Sequence, residues 1–167
     1  MKSFTDAQGR AWSIRLTLGS AKLVRDKLGV DLLQPESGDP PLLTRIGTDE
    51  VLLGEVLCAL LEDQFEAHKV TEDDVRAGFD GRTLLAAQDA FYAELVDFFQ
   101  SRGRNDRARA VAKQQAILAA ASVAAETRIE KMDVEETVRH AMETSGGTSI
   151  ESPGPSGETA TGLHYGS

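Results

Sequence analysis

The 167 residues include 27 acidic and 18 basic side chains, for a formal charge of -9 and a pI near 4.8, and such a surface repels nucleic acid and anionic lipid at long range. An apolar share of 41% suffices for a real core, but aromatic residues make up only 5%, so that core is expected to be thin and built from Leu, Val and Ala in helix-on-helix packing. The lone cysteine, Cys58, excludes a disulfide within the chain. No charged-then-apolar leader opens the sequence, and its longest apolar run, AILAAASVAA, is too short and too weakly hydrophobic to span a bilayer; a cytosolic protein with no membrane partner is expected.

In chain order, residues 2–5 form a candidate strand, DAQG at 6–9 has turn chemistry, and residues 10–17 alternate through Trp12, Ile14 and Leu16. This predicts a β-hairpin. A lone hairpin is marginal in water, so Phe4, Trp12, Ile14 and Leu16 must lie on helices, or the hairpin edge must pair with another copy. At Ala21, Val24 and Leu28 the spacing turns helical. Thr17 or Ser20 can cap that helix, Gly29 can end it in a left-handed conformation, and Val30 can supply the hydrophobic contact that follows such a stop.

The segment QPESGDPP at 34–41 reads as a connector, because its prolines lack the helix's hydrogen-bond donors. Leu53, Val56, Leu57, Leu60, Leu61 and Phe65 then predict a helix from about 49 to 68. Thr71, followed by three acids, starts a short helix that stops between 78 and 81. A helix over 83–101 carries Leu84, Gln88, Phe91, Leu95 and Phe98 on one stripe. After SRGRN comes an alanine-rich helix over 106–131, and Asp133 with Glu136 makes a capping box for a further helix to about Thr144. From residue 145 the composition shifts to Gly, Ser, Thr, Pro and Glu, which cannot bury enough apolar surface to order itself. The predicted fold is mainly α: a small helical domain with an N-terminal β-hairpin at 1–103, a helical extension at 104–144 built on the long alanine-rich helix, and a disordered tail at 145–167.

Chemistry-bearing residues are scattered. His68, His140 and His164 lie in three segments without a partner histidine or cysteine at ligand spacing, and Glu136 with His140 is one pair where a metal needs three or four ligands. Cys58 sits among leucines and valine, where a thiol behaves as a small hydrophobe. No phosphate loop, GxSxG or carboxylate pair in an apolar setting is present. No catalytic, cofactor-binding or metal-ligating residue is therefore expected, and the chain is not expected to be an enzyme. The acids Glu62, Asp63, Glu66, Glu72, Asp73 and Asp74 form a patch that is either hydrated surface or a dock for a basic partner. Arg102, Arg104, Arg107, Arg109 and Lys113 form the basic cluster; lacking interleaved aromatics, it reads as pairing with the acidic patch rather than as a nucleic-acid site. Within the alanine-rich helix Val111, Leu118, Ala121, Ala125, Ile129 and Met132 recur at three-, four- and seven-residue intervals. That stripe is either core packing or a surface for another chain.

The hairpin written RAWSIRLT, a first helix ending LGVDLL, a leucine-rich helix and a helix ending ELVDFF together resemble the tail assembly chaperones encoded in tail-gene cassettes of bacteriophages and prophages. The resemblance covers about residues 2–109. It implies a largely helical, non-enzymatic protein of the host cytoplasm, absent from the finished virion, that coats the aggregation-prone tape measure protein and brings tail tube subunits to it. It also implies a frameshifted longer product in many such phages, although no glycine-lysine or lysine-lysine dipeptide lies near the C-terminus here. On this reading Val111, Leu118, Val123, Ile129 and Met132 are the expected partner-binding residues, in the manner of a helix laid on a helix, and the chain acts in several copies as a possible homo-oligomer. The alternative is a structural tail or connector protein of the virion that extends a ring through its hairpin edge.

Overall fold

A single buried carboxylate organises the N-terminal hairpin. The computed structural model describes residues 1–132, 134–145 and 154. In it β1 (Lys2–Thr5) and β2 (Ala11–Ile14) pair antiparallel with Phe4 opposite Trp12. In the turn between them, Asp6 accepts hydrogen bonds from the backbone N–H of Gln8 (3.0 Å) and Arg10 (2.9 Å), from Arg10 Nε (2.6 Å) and from the Trp12 indole N–H (2.9 Å). Burial pushes this carboxyl up, but the Trp12 and Arg10 donors outweigh it and hold Asp6 below the usual carboxylate range.

The hairpin closes over helices, as the alternation requires. Phe4, Trp12, Ile14 and Leu16 are all buried; each such side chain removed from water contributes about 1.5–3 kcal/mol. The backbone N–H and C=O of Ser13, which face away from β1, are taken by the Gln64 amide at 3.0 and 2.8 Å. A side chain thus stands in for a third strand at this point.

Helix α1 (Leu18–Leu28) begins at Thr17 in a capping box with Ser20 and ends at Gly29, whose φ of 67° is the left-handed conformation glycine adopts without strain. Val30 and Leu32 then enter the core. A helix the sequence pattern does not announce, α2 (Leu42–Thr48), follows Pro41 and buries Leu42, Leu43 and Ile46. Asp49 caps α3 (Glu50–Leu61) through Leu52 N–H. Helix α3 is buried on most sides, from Leu53 through Leu61, as befits a central helix. The helix expected to continue to 68 instead breaks into a 3-10 turn (Glu62–Gln64) and a short α4 (Phe65–His68). This break brings Gln64 to Ser13.

Helix α5 (Glu72–Ala77) has the Thr71–Asp74 capping box expected of it and is tied to α3 by Arg76, which reaches Glu55 at 2.9 Å and Glu72 at 2.6 Å. Helix α6 (Gly81–Ser101), capped by Asp80, begins two residues before the predicted stretch and buries Ala87, Ala90, Phe91, Tyr92, Leu95 and Phe99. Of the predicted stripe Phe91 and Leu95 are buried as expected, but its two ends are rotated outward: Leu84 and Phe98 are half-buried, and Phe99 rather than Phe98 enters the core. Tyr92 donates to the Leu43 carbonyl at 2.9 Å, and burial pushes its phenol up to about 12. Helix α7 (Asn105–Lys131) and α8 (Val134–Ser145) complete the described elements. The fold is mainly α with one hairpin. Two compact units are present, Met1–Ala125 and Glu126–Ser167. The boundary expected at 103/104 falls within the first unit, where Ala108 and Val111 are buried. The Asp133 cap and the tail beyond 145 lie outside the described residues, apart from Gly154.

Two predictions follow from the hairpin's seat. The folded pKa of Asp6 lies below its unfolded value, so its contribution is complete above about pH 4 and is lost as pH falls through the lowered folded value. Urea unfolding of Asp6→Asn should show less loss of stability between about pH 5 and pH 3 than the parent chain, and a lower stability at neutral pH. Gly78, beyond α5, sits where an added Cβ would come within 2.8 Å of Arg10 Nη2 and 3.2 Å of Asp6 Oδ2. Gly78→Ala is expected to cost about 1–3 kcal/mol. Gly54→Ala, inside α3 with nothing within 4 Å of the new Cβ, should instead gain up to about 1 kcal/mol in the same unfolding assay.

Candidate partner-binding surface

The residues expected to meet a partner divide by burial. Val111 is fully buried, one turn from buried Ala108, so it belongs to the core of the first unit rather than to a binding face. Leu118 is half-buried against the same core; its Cδ1 lies 2.4 Å from where a Cβ on Gly47 would stand. Gly47 therefore gives α2 the clearance that Leu118 fills. By contrast Val123 is 61% exposed, Ile129 68% and Met132 54%. Ile117, which the periodicity passes over, is also exposed. Val123 and Ile117 belong to the first unit; Ile129 and Met132 belong to the second, in which Val138 and Met142 of α8 are exposed as well.

Alanine is what makes this division possible. Residues 119–125 are all exposed, yet five are alanines, the residue with the strongest intrinsic helix preference. Such a segment stays helical without core contacts. It also permits close approach of another helix while supplying little burial energy itself.

The acidic patch is largely engaged within the chain. Glu62 pairs with Lys27 at 2.7 Å, Glu72 and Asp73 with Arg76, and Asp74 accepts from Thr71. Two members of the basic cluster, Arg104 and Arg107, are paired too, but not with that patch. Arg104 holds Asp106 at 2.7 Å, and Arg107 reaches Glu36 and the Leu33 carbonyl. Asp106 lies two residues on, in the first turn of α7, whereas Leu33 and Glu36 lie 74 and 71 positions from Arg107, a distance that concealed them in the sequence.

The remaining candidates have structural roles. His68 lies against Trp12, with ring centroids 4.4 Å apart and the planes tilted by 49°. Cys58 is buried, and burial pushes its thiol up to about 11, away from the thiolate that reacts. His164 lies outside the described residues. Among the described residues no group of three or more His, Cys, Asp or Glu could hold a metal ion, and no helix is long and apolar enough to cross a membrane. A cavity of about 570 Å³ opens between the hairpin, the start of α1 and the end of α3, with Arg15, Ser20 and Gln64 at its walls and Leu23 and Leu60 beneath. Asp63 is its one acid, and no histidine or cysteine lines it.

Glu94 was not singled out by its sequence context, yet it is the buried acid of α6. Its carboxylate accepts the Leu16 N–H at 3.0 Å and lies 2.7 Å from the Met1 ammonium. No local pattern could have revealed a partner so distant along the chain.

Leu118→Asp should lower stability by roughly 2–4 kcal/mol, because it removes a packed side chain and places a charge over Gly47. Ile129→Asp should stay within about 0.5 kcal/mol of the parent chain in urea unfolding. A comparable loss in both variants would place Ile129 in the core instead. Compared with protein-family models, with curated proteins and with solved structures, the chain matches none.

Proposed function

We propose that this chain is a phage tail assembly chaperone, one that binds and solubilises helical segments of the tape measure protein in the host cytoplasm and hands on tail tube subunits. The observation that carries the reading is the order of elements over residues 2–109, together with the phrases in which it is written. Those phrases have structural roles here: in LGVDLL, Gly29 stops α1 while Val30 and Leu32 enter the core, and in ELVDFF, Glu94 takes the Leu16 N–H while Leu95 and Phe99 are buried. The partner would meet Ile129 and Met132 of the second unit, whose exposure supports a helix-on-helix contact, and Val123 is a separate exposed position of the first unit. The acidic surface supports solubility of the complex it forms.

Against the alternative of a ring-forming virion protein, the Ser13 pair of the hairpin edge is already occupied by Gln64. The discriminating measurement is the composition of purified particles by mass spectrometry, set beside affinity capture of this chain from cells making tails. The chaperone reading expects the chain to co-purify with tape measure protein and to be missing from particles. Stoichiometric presence in the mature tail would overturn it. A double variant, Ile129→Asp with Met132→Asp, should lose the tape measure protein while remaining folded.

A further inference from the structure

The junction of α6 and α7 carries a partly open pocket of about 200 Å³ lined by Leu33, Phe98, Phe99, Arg102, Arg104 and Arg107. Three guanidiniums converging on one small space is unusual in a chain whose formal charge is -9. Each is held by a different anchor. Arg107 is fixed by the Leu33 carbonyl and Glu36, with its Cζ 5.9 Å from the centre of the Phe99 ring. Arg104 makes a two-pronged pair with Asp106 at 3.0 and 2.7 Å. Arg102 lies 5.9 Å over the Phe98 ring and makes no ion pair among the described residues. These anchors remove side-chain freedom before a ligand arrives, which lowers the entropic cost of binding.

The local charge is not neutralised. Two carboxylates, Asp106 and Glu36, face three guanidiniums, so one positive charge remains in excess, and a guanidinium presents five donors of which Asp106 or Glu36 engages at most two. Arg107 also has a buried Nε–H that no acceptor meets, the kind of group that natural structures seldom leave unpaired. The volume is below the roughly 300–1,000 Å³ of sites that enclose drug-sized ligands. It suits a head group rather than a nucleotide. Phe98, Phe99 and Leu33 give it an apolar wall, and planar guanidiniums recognise carboxylate and phosphate oxygens in pairs.

We propose that this pocket is a recognition site for a single oxyanion head group, carboxylate or phosphate, brought by a ligand from outside the chain, with Glu36 as an internal competitor for Arg107. The site is independent of the tape measure reading, since it uses neither Ile129 nor Met132.

The test is titration of the isotope-labelled full chain with butyrate and with inorganic phosphate, at constant ionic strength held with chloride, following the arginine Nε–H and backbone signals of residues 98–107 by NMR. Saturable shifts confined to this pocket are expected for at least one probe. Arg102→Gln, an exposed change that leaves the fold intact, should weaken binding about tenfold, as loss of a charge-assisted hydrogen bond does. Glu36→Gln should tighten it. Stronger binding of butyrate assigns a carboxylate on an apolar stem, and stronger binding of phosphate assigns a phosphorylated ligand. Shifts that chloride reproduces, or that persist unchanged in Arg102→Gln, would overturn the proposal.

Discussion

A two-stranded hairpin has more unpaired backbone and more one-sided apolar surface than water tolerates, and the rest of the first unit depends on how that imbalance is met. Three polar side chains meet it. Asp6 collects the turn's N–H groups together with the Trp12 indole, Gln64 takes both groups of Ser13, and Glu94 takes the N–H of Leu16. Each belongs to a different segment, so the hairpin cannot be seated until the turn after α3 and the middle of α6 are in place. The apolar face then follows the polar one: with these groups satisfied, Trp12 and Ile14 are fully buried.

The docking of α5 repeats the principle at the other end of the hairpin. Arg10, already held by Asp6, extends Nη2 to the Asp74 carbonyl at 3.1 Å, and Gly78 leaves room for it. A cation near the last carbonyls of a helix is favourably placed. Arg76 ties the same helix to α3 through Glu55. An exposed ion pair of this kind is worth little by itself, so the position of α5 rests mainly on buried Val75 and on the close fit at Gly78.

The hairpin, the helix stop at Gly29 and the starts at Asp49 and Thr71 were legible because each is a local signal, written within four residues of where it acts. Helix α2 was not: it is seven residues long, and the prolines before it signal a connector more strongly than Leu42, Leu43 and Ile46 signal a helix. The break after Leu61 was hidden because the apolar spacing carries on to Phe65, whereas the contact that the break permits, Gln64 with Ser13, spans 51 positions. The rotation of α6 has a similar origin. Sequence spacing fixes that a stripe exists, while the helices beneath decide whether Phe98 or Phe99 faces them. For the partner surface, periodicity joined Val111 and Leu118 to Ile129 as one stripe. Burial divides them, because periodicity says which residues share a face and not how far along the helix the core extends.

That division bears on how such a protein could act. The exposed part of α7 is rich in alanine, with Ile117, Val123 and Ile129 as its larger apolar residues and Met132 just beyond its end. Few of these side chains could be buried by one contact, and each contributes only about 1.5–3 kcal/mol when fully covered, less the cost of association. A single copy would therefore hold a client helix weakly. Copies that also contact one another along one long client would hold it firmly, since joined contacts raise one another's effective concentration, and each bound molecule covers a further stretch of apolar surface that would otherwise aggregate. Weak individual contacts also allow stepwise release as the client reaches its assembled state. On the function proposed here, the scarcity of large apolar side chains on this helix is what makes the coating reversible.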